Sequence, residues 1–540
     1  MTIKEIGPKE FNVTIKFGGG RNTRASESDI RDKECSDGEN FVLDLENQEF
    51  RPREYFDLAG TAPGGQINGF AQLKKSDGTI STLIQSGTSV YEWDGTTFTS
   101  KGAVATGAKI RGHRHHNWIL SDKVLITDLA LLEPVNEWDG TTFQNVSFTG
   151  VSGDFMAKYC WVSKDIAHFA NIISNGTATP HLLCGSTNED YTTVTISNKP
   201  SSALGAGDPW YMTQPDLRPI NGFVLAFGRI VTSSDGGELY QIKGQNEQDF
   251  EMDDFYPGSA ASGDESVAYI GNDIAFGRQG RVETLSGTQN FGDVETDDIS
   301  RYVADELSGL KDWTVVYNSR LSRVYFYAAG ETSFHVLHKA VLDETRRNNT
   351  RLQAADSETE VSPWSKWTTQ HAFDFTPTCI WSMFDPSDGL EYTWMGDASG
   401  NIFRLEGTAS GDGGSANVKV SRTSKLFSVP LNADVFSIEG YVMYRKDEAA
   451  TLTLSILFAG TTPMDENFTI TFDALSGRPV YGGGLYYNDS NYYSTPFKGR
   501  FVRKTFAPAG QGTSFQVKAE IEGTTGFNVS EVGLRLEATT

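Results

Sequence analysis

The chain has 540 residues, too many for one simple hydrophobic core, so two or three domains or a radial repeat architecture must absorb the length. Aromatics at 12%, charged residues at only 21% and 55 glycines describe a protein rich in strands and turns. Its 46 Lys and Arg stand against 70 Asp and Glu, and the formal net charge of −24 excludes a protein that grips nucleic acid through clustered phosphate contacts, although not a surface past which nucleic acid slides.

Residues 1 to about 60 are charged and broken by glycine, with Phe17-Gly18-Gly19-Gly20-Arg21 followed by a polar stretch to Lys33. The pattern predicts an extended N-terminal arm with one or two short docking strands, foremost Asn40-Phe41-Val42-Leu43-Asp44-Leu45, whose apolar residues roughly alternate. Positive charge gathers in this arm at Arg21, Arg24, Arg31, Lys33, Arg51 and Arg53. It reads either as ordinary surface charge or as a face that docks on an acidic neighbouring subunit.

After Gly64-Gly65 the chain repeats itself. Glu92-Trp93-Asp94-Gly95-Thr96-Thr97-Phe98 recurs unchanged at Glu137-Trp138-Asp139-Gly140-Thr141-Thr142-Phe143, 45 residues downstream. A period near 45 is the length of a four-stranded propeller blade, and the 3.6-residue stripes of helical repeats are absent. Within the first copy, Thr79 to Gln85 and Ser89 to Trp93 read as strands, with Asp94-Gly95 as a hairpin turn. Leu182-Leu183-Cys184-Gly185 is a weaker match another 45 residues on. A looser pattern, Gly-x-aliphatic-x-x-aliphatic-x-Gly, recurs at Gly237 to Gly244, Gly280 to Gly287 and Gly400 to Gly407. The last interval, 120 residues, reads as three periods of about 40.

Two stretches break the rhythm. Asp297 to Leu307, with apolar residues at 299, 303 and 307, predicts an amphipathic helix of two to three turns, and Leu342 to Glu360 a polar, exposed and mobile excursion. From about Ala416 longer alternating runs appear, Thr451 to Phe458 and Ser514 to Ile521, with Gly411-Asp412-Gly413-Gly414 as a linker. The predicted fold is all-β: an arm over 1–60, a β-propeller of about seven blades (six to eight fit) over 61–410, and an antiparallel β-sandwich over 416–540.

Chemistry is sparse. There is no G-x-S-x-G, H-E-x-x-H, G-x-G-x-x-G or G-x-x-x-x-G-K-[ST] motif, so no catalytic residue is assigned and the chain is read as a non-enzyme without cofactor or metal. His113-Arg114-His115-His116 invites a metal, but a loop open to water is the simpler reading. Asp249, Glu251, Asp253 and Asp254 resemble the start of a calcium loop but lack its glycine and its closing Glu. The tryptophans of the repeat read either as sugar-stacking platforms of a glycan-binding or carbohydrate-active propeller or as packing between blades, and packing is preferred for Trp93 and Trp138, with Asp94-Gly95 and Asp139-Gly140 as turns. The repeat is also similar to the aspartate-box turns of sialidase propellers, but their Ser-x-Asp-x-Gly order is not met. Cys35, Cys160, Cys184 and Cys379 are too scattered for a disulfide framework, the residues after Met1 lack a signal peptide's apolar run, and no stretch approaches a membrane span. A soluble chain made and assembled in the cytoplasm is expected.

The run Lys33-Glu34-Cys35-Ser36-Asp37-Gly38-Glu39-Asn40-Phe41-Val42-Leu43-Asp44, then Phe50-Arg51-Pro52-Arg53, then Ile67-Asn68-Gly69-Phe70 and the Trp-Asp-Gly blades, resembles the tail nozzle or tail hub proteins of short-tailed double-stranded-DNA bacteriophages. The resemblance covers about 17–410. It implies a structural virion protein of the phage tail, assembled in the host cytoplasm: a homo-oligomeric, hexameric ring attached to an adaptor ring, with tail fibre or spike proteins as further partners. Such a ring retains DNA and passes it during ejection without sequence-specific binding. The −24 balance then gains a mechanism, because an acidic channel wall repels phosphates and lets the duplex slide.

Overall fold

The structure, a computed structural model, describes residues 4–538 except 8–9, 17–18, 25, 27, 45–48, 113–121, 164, 227–228, 236–237, 245, 257–260, 272, 288–293, 352–361, 370–375, 408–417, 429–434, 447–449, 460–465, 473–501, 507–510, 513 and 524–526. Strands dominate it. An eight-stranded sheet contains two antiparallel groups of four: Ile67–Lys74, Ile80–Ser86, Ser89–Trp93 and Phe98–Ala103, then Ile110–Gly112, Val124–Asp128, Asn136–Trp138 and Phe143–Asn145. Their first strands meet through a parallel bridge between Arg111 and Phe70. Further four-stranded groups begin with Phe155–Ser163, Ile220–Ala226, Val267–Tyr269, Trp313–Asn318 and Pro377–Phe384. These first strands adjoin one another in succession until Pro377–Phe384 lies against Ile67–Lys74. A ring of sheets with its first strands innermost is a β-propeller, and closure protects the sheet edges.

The repeated sequence patterns fall on the third strand of each group. Ser89–Trp93 and Asn136–Trp138 carry the unchanged copies, Thr177–Gly185 the weaker match, and Leu239–Lys243, Arg281–Gly287 and Asn401–Gly407 the glycine-flanked ones. The 120-residue interval holds one intervening group, Trp313–Asn318 to Trp364–Thr368, and not two. That group is enlarged by an α-helix, Lys339–Arg351, between its third and fourth strands. The predicted polar excursion is therefore helical over its first half. Val341 and Leu342 are buried, and Arg346 reaches the neighbouring group to pair with Asp273 at 2.6 Å. The rest of the excursion lies outside the described residues, as does the glycine linker. The helix predicted over 297–307 is shorter than expected. Strand Val294–Asp298 takes its start, and a 3-10 turn (Ile299–Tyr302) and one α-turn (Ala304–Leu307) bury Ile299, Val303 and Leu307. The apolar spacing was satisfied by burial on one side without a continuous helix.

Strand pairing crosses the boundary expected at residue 60. Tyr55–Thr61 runs antiparallel to Asn401–Gly407 and supplies the fourth strand of the last group, so the two ends of the ring are hydrogen-bonded to each other. Upstream strands enter two further sheets. One holds Lys4–Gly7, Glu10–Lys16, Phe527–Ala538, Val435–Lys446 and Val502–Phe506, the other Cys35–Glu39, Val418–Ser424, Ser514–Gly523, Ala450–Ala459 and Glu466–Phe472. Both contribute to one apolar core, with Val13, Val532 and Leu534 from the first and Val420, Leu454 and Val517 from the second. Gly20 lies so close to the outermost strand of the sixth group that a Cβ there would stand 2.4 Å from the Ser362 carbonyl oxygen and 2.5 Å from that of Trp364. Only glycine permits that approach.

Candidate functional site

The inner strands surround a cavity of about 470 Å3 on the ring axis. Its charged groups come from lead-ins and strands far apart in sequence. Arg111, on Ile110–Gly112, reaches across the axis to Glu265, beside the strand Val267–Tyr269, and forms a two-pronged ion pair at 2.6 and 2.9 Å. It also donates to the carbonyl oxygens of Asn68, 2.7 Å away, and Ile110, 2.9 Å away, and its guanidinium lies 5.9 Å from the ring centre of Trp381. Burial works against its charge, but the Glu265 carboxylate prevails and raises the guanidinium pKa above its ordinary value. A second pair, Lys158 with Asp264 at 2.5 Å, also crosses between groups. These pairs tie the second and third groups to the lead-in of the fifth.

Away from the ion pairs the lining is apolar and aromatic. Trp161, Phe223 and Trp381 are half-buried around the cavity. A second space of about 340 Å3 shares Ala268, Tyr269, Val315, Val316 and Trp381 with the first and opens beside Tyr317, Ser319 and Glu391. At this mouth Tyr269 is 39% exposed, and the Glu391 carboxylate accepts hydrogen bonds from Ser319 and, at 2.7 Å, from Ser382. Deep in the wall stands Tyr159, 6% exposed, whose hydroxyl has no hydrogen-bond partner among the described residues. Its phenol titrates well above the ordinary range because of burial and the neighbouring Asp264 and Glu265 carboxylates. Arg111 and Glu265 lie 154 positions apart and carry no local motif, so sequence reading missed them.

Among the sequence-predicted residues, Trp93 and Trp138 are 2% and 0% exposed, which places them between sheets and away from solvent-facing sugar platforms. Trp93 packs edge-on against Trp394 of the last group at 5.1 Å, and the Trp138 indole donates to Ser81 Oγ of the preceding group at 3.0 Å. The turns after them differ from a two-residue hairpin. Each is a four-residue loop in which glycine alone is left-handed, Gly95 at φ +99 and Gly140 at φ +88, while the aspartate caps the loop. Asp94 accepts from the backbone N–H groups of Thr96 and Thr97 at 2.8 and 2.7 Å, and Asp139 from those of Thr141 and Thr142, both at 2.7 Å. Hydrogen bonds from Thr97 and Thr96 hold the Asp94 carboxyl well below the usual carboxylate range.

The six basic residues of the first sixty do not share one surface. Arg21 is buried and pairs with Glu306 at 2.9 Å and Asp37 at 3.0 Å. Arg53 is 1% exposed, stacks 3.5 Å over the Phe56 ring centre, and donates to Asn40 Oδ1 at 3.0 Å and the Glu54 carbonyl oxygen at 2.8 Å. Arg51 pairs with Glu54 at 3.4 Å, Arg31 and Lys33 are half-buried, and Arg24 is exposed.

The histidine cluster His113 to His116 lies outside the described residues. Asp249, Glu251, Asp253 and Asp254 do not converge: Asp249 accepts from the Asn246 backbone N–H at 2.9 Å, and Asp253 pairs with Lys243. Among the described residues, no three His, Cys, Asp or Glu side chains are placed to hold a metal ion. All four cysteines are buried with free thiols, and burial pushes Cys35 up to about 11 and Cys379 up to about 12. No helix among the described residues is long and apolar enough to cross a membrane.

No family model and no curated protein matches this chain. Among solved structures it is similar to BBS1N, solved in complex with ARL6DN, at 11% identity and TM-score 0.40, covering 66% of this chain and 99% of that one. The WD40 domain of Toxoplasma gondii coronin follows at 8% and 0.35, covering 65% and 83%, and Kluyveromyces lactis Hsv2 at 9% and 0.34, covering 68% and 95%. Likenesses this weak carry no functional weight, and the fold assignment rests on the strand pairing.

Proposed function

We propose that this chain is a structural component of a bacteriophage tail, a nozzle or hub protein whose copies form a ring, attach to an adaptor ring, retain DNA and pass it during ejection. In this reading the propeller has seven blades and the two remaining sheets are a β-sandwich completed by N-terminal strands. One observation carries it. The stretch that bears the resemblance, Lys33 to Asp44 with Phe50 to Arg53, is built into the junction of propeller and paired sheets, where Asn40 donates to the Lys366 carbonyl oxygen on one side at 2.7 Å and the Lys419 carbonyl oxygen on the other at 3.1 Å. A motif that ties two bodies together suits a part that must transmit force without bending. Because the inner strands of the single propeller leave only a cavity of about 470 Å3, bridged by ion pairs, a DNA channel lies between copies in this reading, and the acidic balance of −24 suits a wall that phosphates slide past. Light-scattering mass of the purified chain, alone and mixed with adaptor rings, tests this. A ring-sized assembly is expected, and a strict monomer under both conditions at every concentration overturns the reading.

A second reading, a glycan-binding or carbohydrate-active propeller, draws on the exposed Tyr269 and half-buried Tyr317 and Trp381 near Glu391 at the cavity mouth. Against it, the Glu391 carboxylate is already held by Ser319 and Ser382. Absence of binding or cleavage across cell-wall and surface glycans discards it.

A further inference from the structure

We propose that the axial cavity binds one small, uncharged, flat apolar molecule. This goes beyond a structural role and does not depend on it. The cavity, at about 470 Å3, has the size of a site for a drug-sized molecule. Its walls present the rings of Trp161, Phe223 and Trp381, which favour a planar apolar body by stacking and by removal of surface from water.

Charge selects against ions. Arg111 is matched by Glu265 and Lys158 by Asp264, so a charged ligand would be desolvated without a free counter-ion or would have to break a pair. A sugar is a poor fit as well, since most of its hydroxyls would face hydrocarbon without partners.

The test titrates the protein with 6-propionyl-2-dimethylaminonaphthalene, a neutral planar fluorophore. Saturable binding of one dye per chain with blue-shifted emission is expected. Thr314→Trp, on the cavity wall, should abolish saturable binding; Ala268→Phe, on the adjacent inner strand, does the same should the first fail to fold by circular dichroism. Naphthalene-2-sulfonate, of the same shape but anionic, should bind at least about tenfold more weakly than the dye. Several dyes per chain, no saturable binding by the wild type, or unchanged affinity in a folded cavity-filling variant overturns the site. Equal affinity for the sulfonate overturns the neutral selectivity.

Discussion

Asn40 holds the junction by using both ends of its amide. Its backbone N–H donates to Lys366 and its side-chain N–H to Lys419, while Oδ1 accepts from Arg53 Nε at 3.0 Å and from the Thr368 N–H at 2.9 Å. The residue is 1% exposed and left-handed at φ +60, a conformation that Asn tolerates better than most residues. Asn40→Ala leaves buried donors and an acceptor unmet and adds backbone strain, so a loss of roughly 3–5 kcal/mol is expected in urea unfolding. Asn40→Gly relieves only the strain and should fall between. Glu54, next to this junction, makes a pH-dependent contribution. Burial alone would raise its pKa, but Arg323, at 2.7 and 3.1 Å, outweighs burial and holds the carboxyl at about 2, below the ordinary 4.5. A depressed folded-state pKa gives stability that is present above pH 4.5 and lost as pH falls through about 2. Glu54→Gln should therefore be less stable by about 2–3 kcal/mol at pH 7, and its difference from wild type should vanish across that acid window. Glu34, raised by burial, acts with the opposite sign in both proteins and cancels in the comparison. The position of Asn40 in a motif was legible in the sequence. Its partners were not, because Lys419 lies 379 positions away.

Among the elements, the third strands were the legible ones, because the turns at their ends need a residue that accepts positive φ and glycine supplies it at Gly280 (φ +70) and Gly400 (φ +91). Ser333–His338, the third strand of the sixth group, lacks the flanking pattern, and the helix after it stretched the spacing, which is why two intervals were read as three. The closing strand escaped notice for a different reason: Tyr55–Thr61 pairs with residues some 340 positions later, and periodicity cannot report such a partner. Closure has a tight point at Gly407, where a Cβ would stand 1.9 Å from Asp57 Cγ. Asp57 in turn pairs with Arg404 at 3.1 Å. Gly407→Ala must displace that carboxylate, at a cost of about 1–3 kcal/mol. Hydrogen exchange should speed up in Tyr55–Thr61 and its partner strand, while the amides of Phe155–Ser163, across the ring, keep wild-type protection; uniform protection in both places would show that closure does not depend on this contact.

For the whole molecule, the chain order makes one cooperative body of what composition divides into an arm, a ring and a sandwich. The described segments between residues 19 and 61 run along the sixth group, bonding Gly20 to Ser362 at 2.8 Å and Arg21 to Trp364 at 2.9 Å, enter the paired sheets at Cys35–Glu39 and end at Tyr55–Thr61, the closing strand of the last group. Arg422 of the paired sheets donates to the Gly19 and Lys33 carbonyl oxygens and fixes the same segment from the other side. Neither body can unfold without pulling on strands that the other needs, so calorimetry of the wild type should show a single transition. Gly20→Ala places a methyl group against backbone carbonyls that cannot move aside, and it weakens the seam without touching either core. The expected result is a split into two transitions, with the lower one abolishing the signal of the paired sheets and the upper one that of the ring. Two transitions in the wild type would mean that the bodies unfold independently, and a single lowered one in Gly20→Ala that they are coupled by some route other than this segment. A seam of this kind is also what a ring-forming tail component requires, since force applied to one body must reach the other through the chain itself.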